Sequence, residues 1–154
     1  MRTLLSAAAL AALTLAAAPT ALAQDTPAPE GARVAFSSPA PGSIIYGSQV
    51  HVIMYAEGVD IVPAGTDEPA SGHHHLLINT EYEEMDQPIP ADDRHVHFGG
   101  GQTEMIITLP PGEHRLQLLL GDQNHVPHDP PVMSDPIFIT VKRAAGYMAN
   151  GRME

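Results

Sequence analysis

The chain has 154 residues, 18 of them acidic against seven basic, for a net charge of −11, and it contains no cysteine. The missing thiols exclude disulfides, thiolate metal sites and cysteine nucleophiles. The acidic balance excludes nucleic acid and anionic lipid as partners, because both are bound through clustered Lys and Arg.

Arg2, the uncharged stretch from Leu4 to Ala18 and the Ala21-Leu22-Ala23 motif read as a signal peptide over residues 1–23. Export to the periplasm or the medium is therefore expected, with Gln24 as the mature N-terminus. Loss of Arg2 leaves six basic residues against 18 acids, a mature charge of −12. No later stretch is apolar over the roughly 20 residues that span a bilayer, so no stable membrane insertion is expected after cleavage. Residues 24–32, with Pro27 and Pro29, are expected as a flexible leader, 33–142 as one domain, and 143–154 as a loose tail.

Within the domain the apolar period is 2, not 3.6. Arg33–Phe36 opens the sheet, Pro39–Gly42 turns it, and Gln49–Ala56 and Gly72–Asn79 are further strands. Met105, Ile107 and Leu109 alternate with Glu104, Ile106 and Thr108. Leu116, Leu118 and Leu120 alternate with Arg115, Gln117 and Leu119. Between those runs lies Pro110-Pro111-Gly112, which suits a type II turn, so the two are expected to form a hairpin. Ile137, Ile139 and Val141 mark the closing strand. Short strands between Pro/Gly turns, with no amphipathic helix, predict an all-β fold: an immunoglobulin-like antiparallel β-sandwich of about seven strands. Two longer loops are expected, an acidic one over Glu81–Asp93 that reads as solvated and a proline-bounded one over Gly121–Val132.

Seven of the nine histidines fall in three clusters: His73-His74-His75, His95-Val96-His97, and His125-Val126-Pro127-His128. Alternate residues of a strand share a face about 7 Å apart, a span that two imidazoles can close onto one ion. Neutral imidazole is the commonest protein metal ligand. His73, His75, His95, His97, His125 and His128 are thus the candidate metal ligands, and without thiolate the set suits copper(II) or zinc. A metal ion is the expected partner; a protein partner is not identified. The alternative is a structural or interaction module whose histidines build a hydrogen-bonded polar layer. His51 reads as an ordinary strand residue, and His114 as a surface or hairpin-edge residue. No set of nucleophile, base and oxyanion donors is visible, so no catalytic residues are assigned and the protein is not expected to be an enzyme.

The ordered motifs Gly72-His73-His74-His75-Leu76-Leu77-Ile78, His95-Val96-His97-Phe98-Gly99, Gly101-Gln102-Thr103-Glu104, Leu116–Asp122 and His125-Val126-Pro127-His128-Asp129-Pro130-Pro131-Val132-Met133-Ser134 resemble a secreted bacterial family, number 4399 among the domains of unknown function. That resemblance implies an exported, single-domain, immunoglobulin-like β protein, and it carries over no catalytic residues. His95–Gly99 is also similar to the copper-ligand strand of copper/zinc superoxide dismutase. The absence of the cysteines for that family's disulfide, and the different context of the later histidines, set this second resemblance aside.

Overall fold

The computed structural model describes residues 26–144. The expected signal peptide, and the expected tail from residue 145 onward, lie outside the described residues. Nine strands are present among those described: β1 (Arg33–Ser38), β2 (Ile44–Tyr46), β3 (Gln49–Glu57), β4 (Asp60–Ile61), β5 (Ser71–Ile78), β6 (His95–His97), β7 (Glu104–Thr108), β8 (Gly112–Gly121) and β9 (Ile137–Lys142). They form a three-stranded sheet, β1-β3-β7, and a larger one ordered β2-β9-β8-β5-β4, with β6 also paired to β5. The order β9-β8-β5 facing β1-β3-β7 is that of the G-F-C and A-B-E strands of an immunoglobulin-like sandwich. Pairing is antiparallel except at β2–β9 and β4–β5.

The alternating runs fill the space between the sheets. Val50, Val52 and Met54 of β3 and Ile107 of β7 meet Leu76 and Ile78 of β5, Leu116, Leu118 and Leu120 of β8, and Ile137, Ile139 and Val141 of β9. Each fully buried aliphatic side chain stabilises the fold by about 1.5–3 kcal/mol.

The expected hairpin is not formed. β7 pairs with β3, whereas β8 pairs with β5 and β9 in the opposite sheet. Pro110–Gly112 is therefore a crossing between sheets, with Gly112 at φ 146°. Alternation reports which residues face the core, and both runs do face it. It does not report which strand supplies the hydrogen-bond partners.

β5 is buried along its whole length, on both faces. Its even-numbered residues His74, Leu76 and Ile78 point between the sheets. Its odd-numbered residues His73, His75 and Leu77 point to the outer face of the large sheet. There a second, smaller core of Leu77, Leu119, Tyr82 and Ile89 holds down the acidic loop. That loop is thus exposed along most of its length but pinned to the sheet by buried Tyr82 and Ile89. Residues 26–29, expected as a free leader, pair along Asp129, through Ala28 N to Asp129 O at 2.9 Å and Asp129 N to Thr26 O at 2.9 Å.

His74 is fully buried in the sandwich, and neither ring nitrogen has a hydrogen-bond partner. Burial pushes its pKa down to about 4. The unfolded chain holds that proton near the ordinary value of about 6.5. Stability from a neutral His74 is therefore present above pH 6.5 and lost as pH falls toward about 4. His74→Leu should raise the melting temperature at pH 7, and should raise it further at pH 4.5. Thermal unfolding of both proteins at the two pH values checks this; an equal or lower melting temperature for the variant would refute it.

Candidate metal centre

Three separate segments bring imidazoles to one place on the outer face of the large sheet. β5 contributes His73 and His75, which share a face because they are two residues apart. β6 lies antiparallel to it with His97 opposite His75 and His95 opposite Leu77. His97 consequently stacks on His75, ring centroids 5.0 Å apart and planes 28° from parallel. The loop after β8 folds back, bridging Gly121 to Pro127, and lays His125 over the others, 5.0 Å from His73 and 4.7 Å from His97 between ring centroids.

The loop is braced where it turns. Buried Asp122 accepts the backbone N–H groups of Asn124 and Val126 at 2.8 and 2.9 Å, and the Thr26 hydroxyl at 2.6 Å. The carbonyl of His125 accepts the N–H of Ile89 at 2.8 Å, tying the two long loops together. His125 itself sits at φ 69°. A non-glycine residue held in the left-handed region costs of order 1–3 kcal/mol, and such strain persists where the surroundings enforce it. Two glycines make room for the rings. A Cβ on Gly99 would lie 2.8 Å from His97 Nε2 and closer still to Cε1, and one on Gly121 would lie 2.9 Å from His75 Nε2.

His73, His97 and His125 each present a ring nitrogen within 4.8 Å of the other two. His75 Nε2 stands 3.0 Å from His73 Nε2. Two nitrogens at about 2.0–2.1 Å from one zinc are roughly 2.9 Å apart at a right angle and roughly 3.3 Å apart at the tetrahedral angle. The His73–His75 spacing fits either a shared proton or two neighbouring corners of a coordination shell.

Burial first, and then repulsion from the neighbouring rings, keeps His73, His75 and His97 neutral. His73 is pushed down to about 4, chiefly by burial and then by His125 and His97, with Asp122 opposing. His75 is pushed down to about 2 by burial and then by His73, His97 and His125. His97 is lowered by burial and by His125. Neutral imidazoles are the form that ligates metal.

Of the six candidate ligands, His95 and His128 stand apart from this group. His95 turns toward Tyr82 and donates from Nδ1 to Asp92 Oδ1 at 2.8 Å. His128, 1% exposed, donates from Nε2 to the Ser71 carbonyl at 3.1 Å. Their positions along the chain did not reveal this. His95 shares a face with His97, but β5 places it beside Leu77, not beside another histidine. The glycines that clear the rings and the aspartate that braces the loop went unnoticed as site residues, although H-F-G and L-G-D both border histidine clusters.

His114 is a useful contrast. It was expected at the surface, yet it is buried, because Asn79 and the Pro110 carbonyl enclose it. Asn79 Nδ2 donates to its Nδ1 at 2.9 Å, and its Nε2 donates to Pro110 O at 2.8 Å. Both of its nitrogens are satisfied, as a structural histidine requires. Exposed His51 simply pairs with Glu104 at 3.1 Å.

No curated protein matches this chain. Among solved structures it is similar to the fibronectin(III)-like modules of CbhA from Clostridium thermocellum, at 16% identity over 72% of this chain and 98% of that one, with a TM-score of 0.41. The fold assignment rests on the strand order, not on that likeness. A family match covers residues 52–142, from β3 through β9 and including every histidine of the cluster. On that match, which spans more than half of its length, the chain belongs to the family described as Domain of unknown function (DUF4399).

Proposed function

We propose that this β-sandwich is an exported, periplasmic metal-binding protein that holds copper(II) or zinc through His73, His97 and His125, with His75 as the adjoining fourth imidazole. One observation carries the reading. Every buried side-chain nitrogen or oxygen that lacks a hydrogen-bond partner among the described residues belongs to a histidine ring, and three of the six, His73 Nδ1, His75 Nδ1 and His97 Nε2, lie in this cluster. A hydrogen-bonded polar layer, the rival reading, would have its nitrogens satisfied, as His114 does and as buried polar groups generally are. An unpaired buried polar nitrogen costs about 1–3 kcal/mol, and an ion ligated at His97 Nε2 removes that cost there. Three imidazoles with room for a further ligand also describe catalytic zinc sites. A binding role is favoured because, among the described residues, no hydroxyl or carboxylate nucleophile is hydrogen-bonded to any of these four rings. Export is supported by the signal-like segment at residues 1–23.

The reading is tested by titrating tag-free protein calorimetrically with copper(II) and with zinc. Copper(II) should bind more tightly by the usual first-row order, and ligand at a hundredfold its dissociation constant should stabilise the fold by about 2.7 kcal/mol. His97→Ala/His125→Ala should abolish copper(II) binding at this site and the rise in melting temperature, while His51→Ala keeps both. Equal copper(II) affinity in the double variant and the parent would reject the site.

The pH dependence follows from the depressed histidine values. Protons compete for His73 and His75 only as pH approaches about 4 or below, not at the 6.5 of an unperturbed histidine. Copper(II) affinity should therefore fall most steeply well below pH 6.5. A curve whose steepest fall sits at 6.5 would mean that the rings are not desolvated as described.

Gly99→Ala should drive the His97 ring out of its place, since the added methyl overlaps it. Metal affinity is expected to drop at least tenfold while circular dichroism still shows a β fold. Unchanged affinity would show that His97 is not a ligand.

A further inference from the structure

Residues 26–29 precede β1, a strand of the smaller sheet, yet they lie against the loop that carries His125 over the larger one. Two backbone bonds hold them there. Ala28 N–H donates to the Asp129 carbonyl and Asp129 N–H to the Thr26 carbonyl, each at 2.9 Å, with Pro27 bridged parallel to Asp129. Ala28 also packs against the main core. The chain then turns, Ala32 N–H bonding the Pro29 carbonyl at 3.0 Å, and enters β1. The segment therefore crosses from one sheet to the cover of the other.

Its one side-chain bond reaches the turn of that loop. Thr26 Oγ1 donates to Asp122 Oδ2 at 2.6 Å. Asp122 is 1% exposed, and its other oxygen, Oδ1, accepts the N–H groups of Asn124 and Val126. Among the described residues Thr26 is the one donor to Oδ2. A buried carboxylate oxygen stripped of its donor is left desolvated and unpaired, and bonds to an ionised group are among the stronger ones. Without the hydroxyl, Asp122 is driven to turn toward water, away from the two amides it holds.

Those amides flank His125, whose own N–H bonds the Asp122 carbonyl at 3.0 Å. His125 stands at φ 69°, a conformation that a histidine keeps only while its surroundings impose it. Freed of the brace, the loop relaxes and takes the His125 ring away from His73 and His97. The Asp122 charge also acts on His73, so the same movement withdraws negative charge from a site that holds a cation. The hold itself is small: one hydroxyl bond, two backbone bonds and one alanine. Such a segment can part from the loop while both sheets stay intact, because local opening costs far less than global unfolding.

We propose that Thr26–Pro29 form a latch on the metal centre, closing the His125 loop over the bound ion, and that Thr26 is the positioning residue through which the latch acts. The latch rests on the metal-binding reading above and gives that site its regulation. Closed, it retains the ion; open, it frees His125 and exposes the ion to an acceptor. His73, His75 and His97 stay on their paired strands, so opening removes a ligand without dismantling the platform.

Tag-free full chain carrying Thr26→Val, which keeps the side-chain shape and removes the hydroxyl, tests this beside Thr26→Ser, which restores it. The first measurement needs no metal. Amide hydrogen exchange at Asn124 and Val126 should quicken about tenfold or more in Thr26→Val, the worth of one bond to a charged group, and should return toward the parent rate in Thr26→Ser. The second titrates copper(II) calorimetrically and follows its release to EDTA by stopped flow. Thr26→Val should bind at least tenfold more weakly, through faster release, and its copper(II) paramagnetic resonance spectrum should show one nitrogen ligand fewer. Thr26→Ser should match the parent in all three. Ala28→Pro, which deletes the N–H bonded to Asp129 and leaves Asp122 untouched, should likewise hasten release. Unchanged amide exchange in Thr26→Val would overturn the latch whether or not copper(II) binds. Faster exchange with the parent's affinity, release rate and spectrum would overturn its role at the metal centre. A parent that takes up no copper(II) at all would reject the centre itself, and the regulation with it.

Discussion

The rest of the structure depends on the burial of β5 on both faces. One face closes the sandwich, and the other is roofed by two loops. A strand in that position normally carries an unbroken apolar run; this one carries three consecutive histidines followed by Leu76, Leu77 and Ile78. Desolvation holds those imidazoles neutral, and His73 and His75, on the outer face, are thereby kept in the form that ligates an ion.

The site is a rigid platform with a stiffened cover. His73, His75 and His97 sit on paired strands, where the register sets their spacing. His125 comes from a loop whose shape is imposed by Asp122, by the Ile89 contact and by the segment at residues 26–29. The acidic loop shares in this work, because Tyr82 and Ile89 anchor it in the small outer core. The two loops thus form one cover over a single sheet face, with imidazoles under one part of it and carboxylates around the other.

The arrangement exchanges stability for chemistry. Unsatisfied buried nitrogens, a left-handed His125 and like charges brought together on protonation all weigh against the folded state. The main core offsets them from the other side of β5, where leucines, isoleucines and valines from both sheets interlock. His74 lies on that inner side, so its cost falls within the core itself. The structure offers no account of why a histidine stands there instead of an aliphatic residue.

The features legible in the order of residues are local ones. Period-2 alternation marked the strands of the two sheets and the residues facing the core, because side-chain direction in a strand depends only on parity. The same parity put His73 with His75 and His95 with His97. The absence of cysteine confined any metal site to nitrogen and oxygen ligands or methionine. Tertiary structure decided the partners. It sent β7 and β8 to opposite sheets although a turn motif joins them, since alternation is the same whichever neighbour a strand has. It separated His95 from His97 through the register against β5, buried His114 between Asn79 and Pro110, and brought His125 but not His128 over the cluster. Each of those outcomes rests on contacts between residues far apart in the chain, and spacing along a sequence carries no record of them.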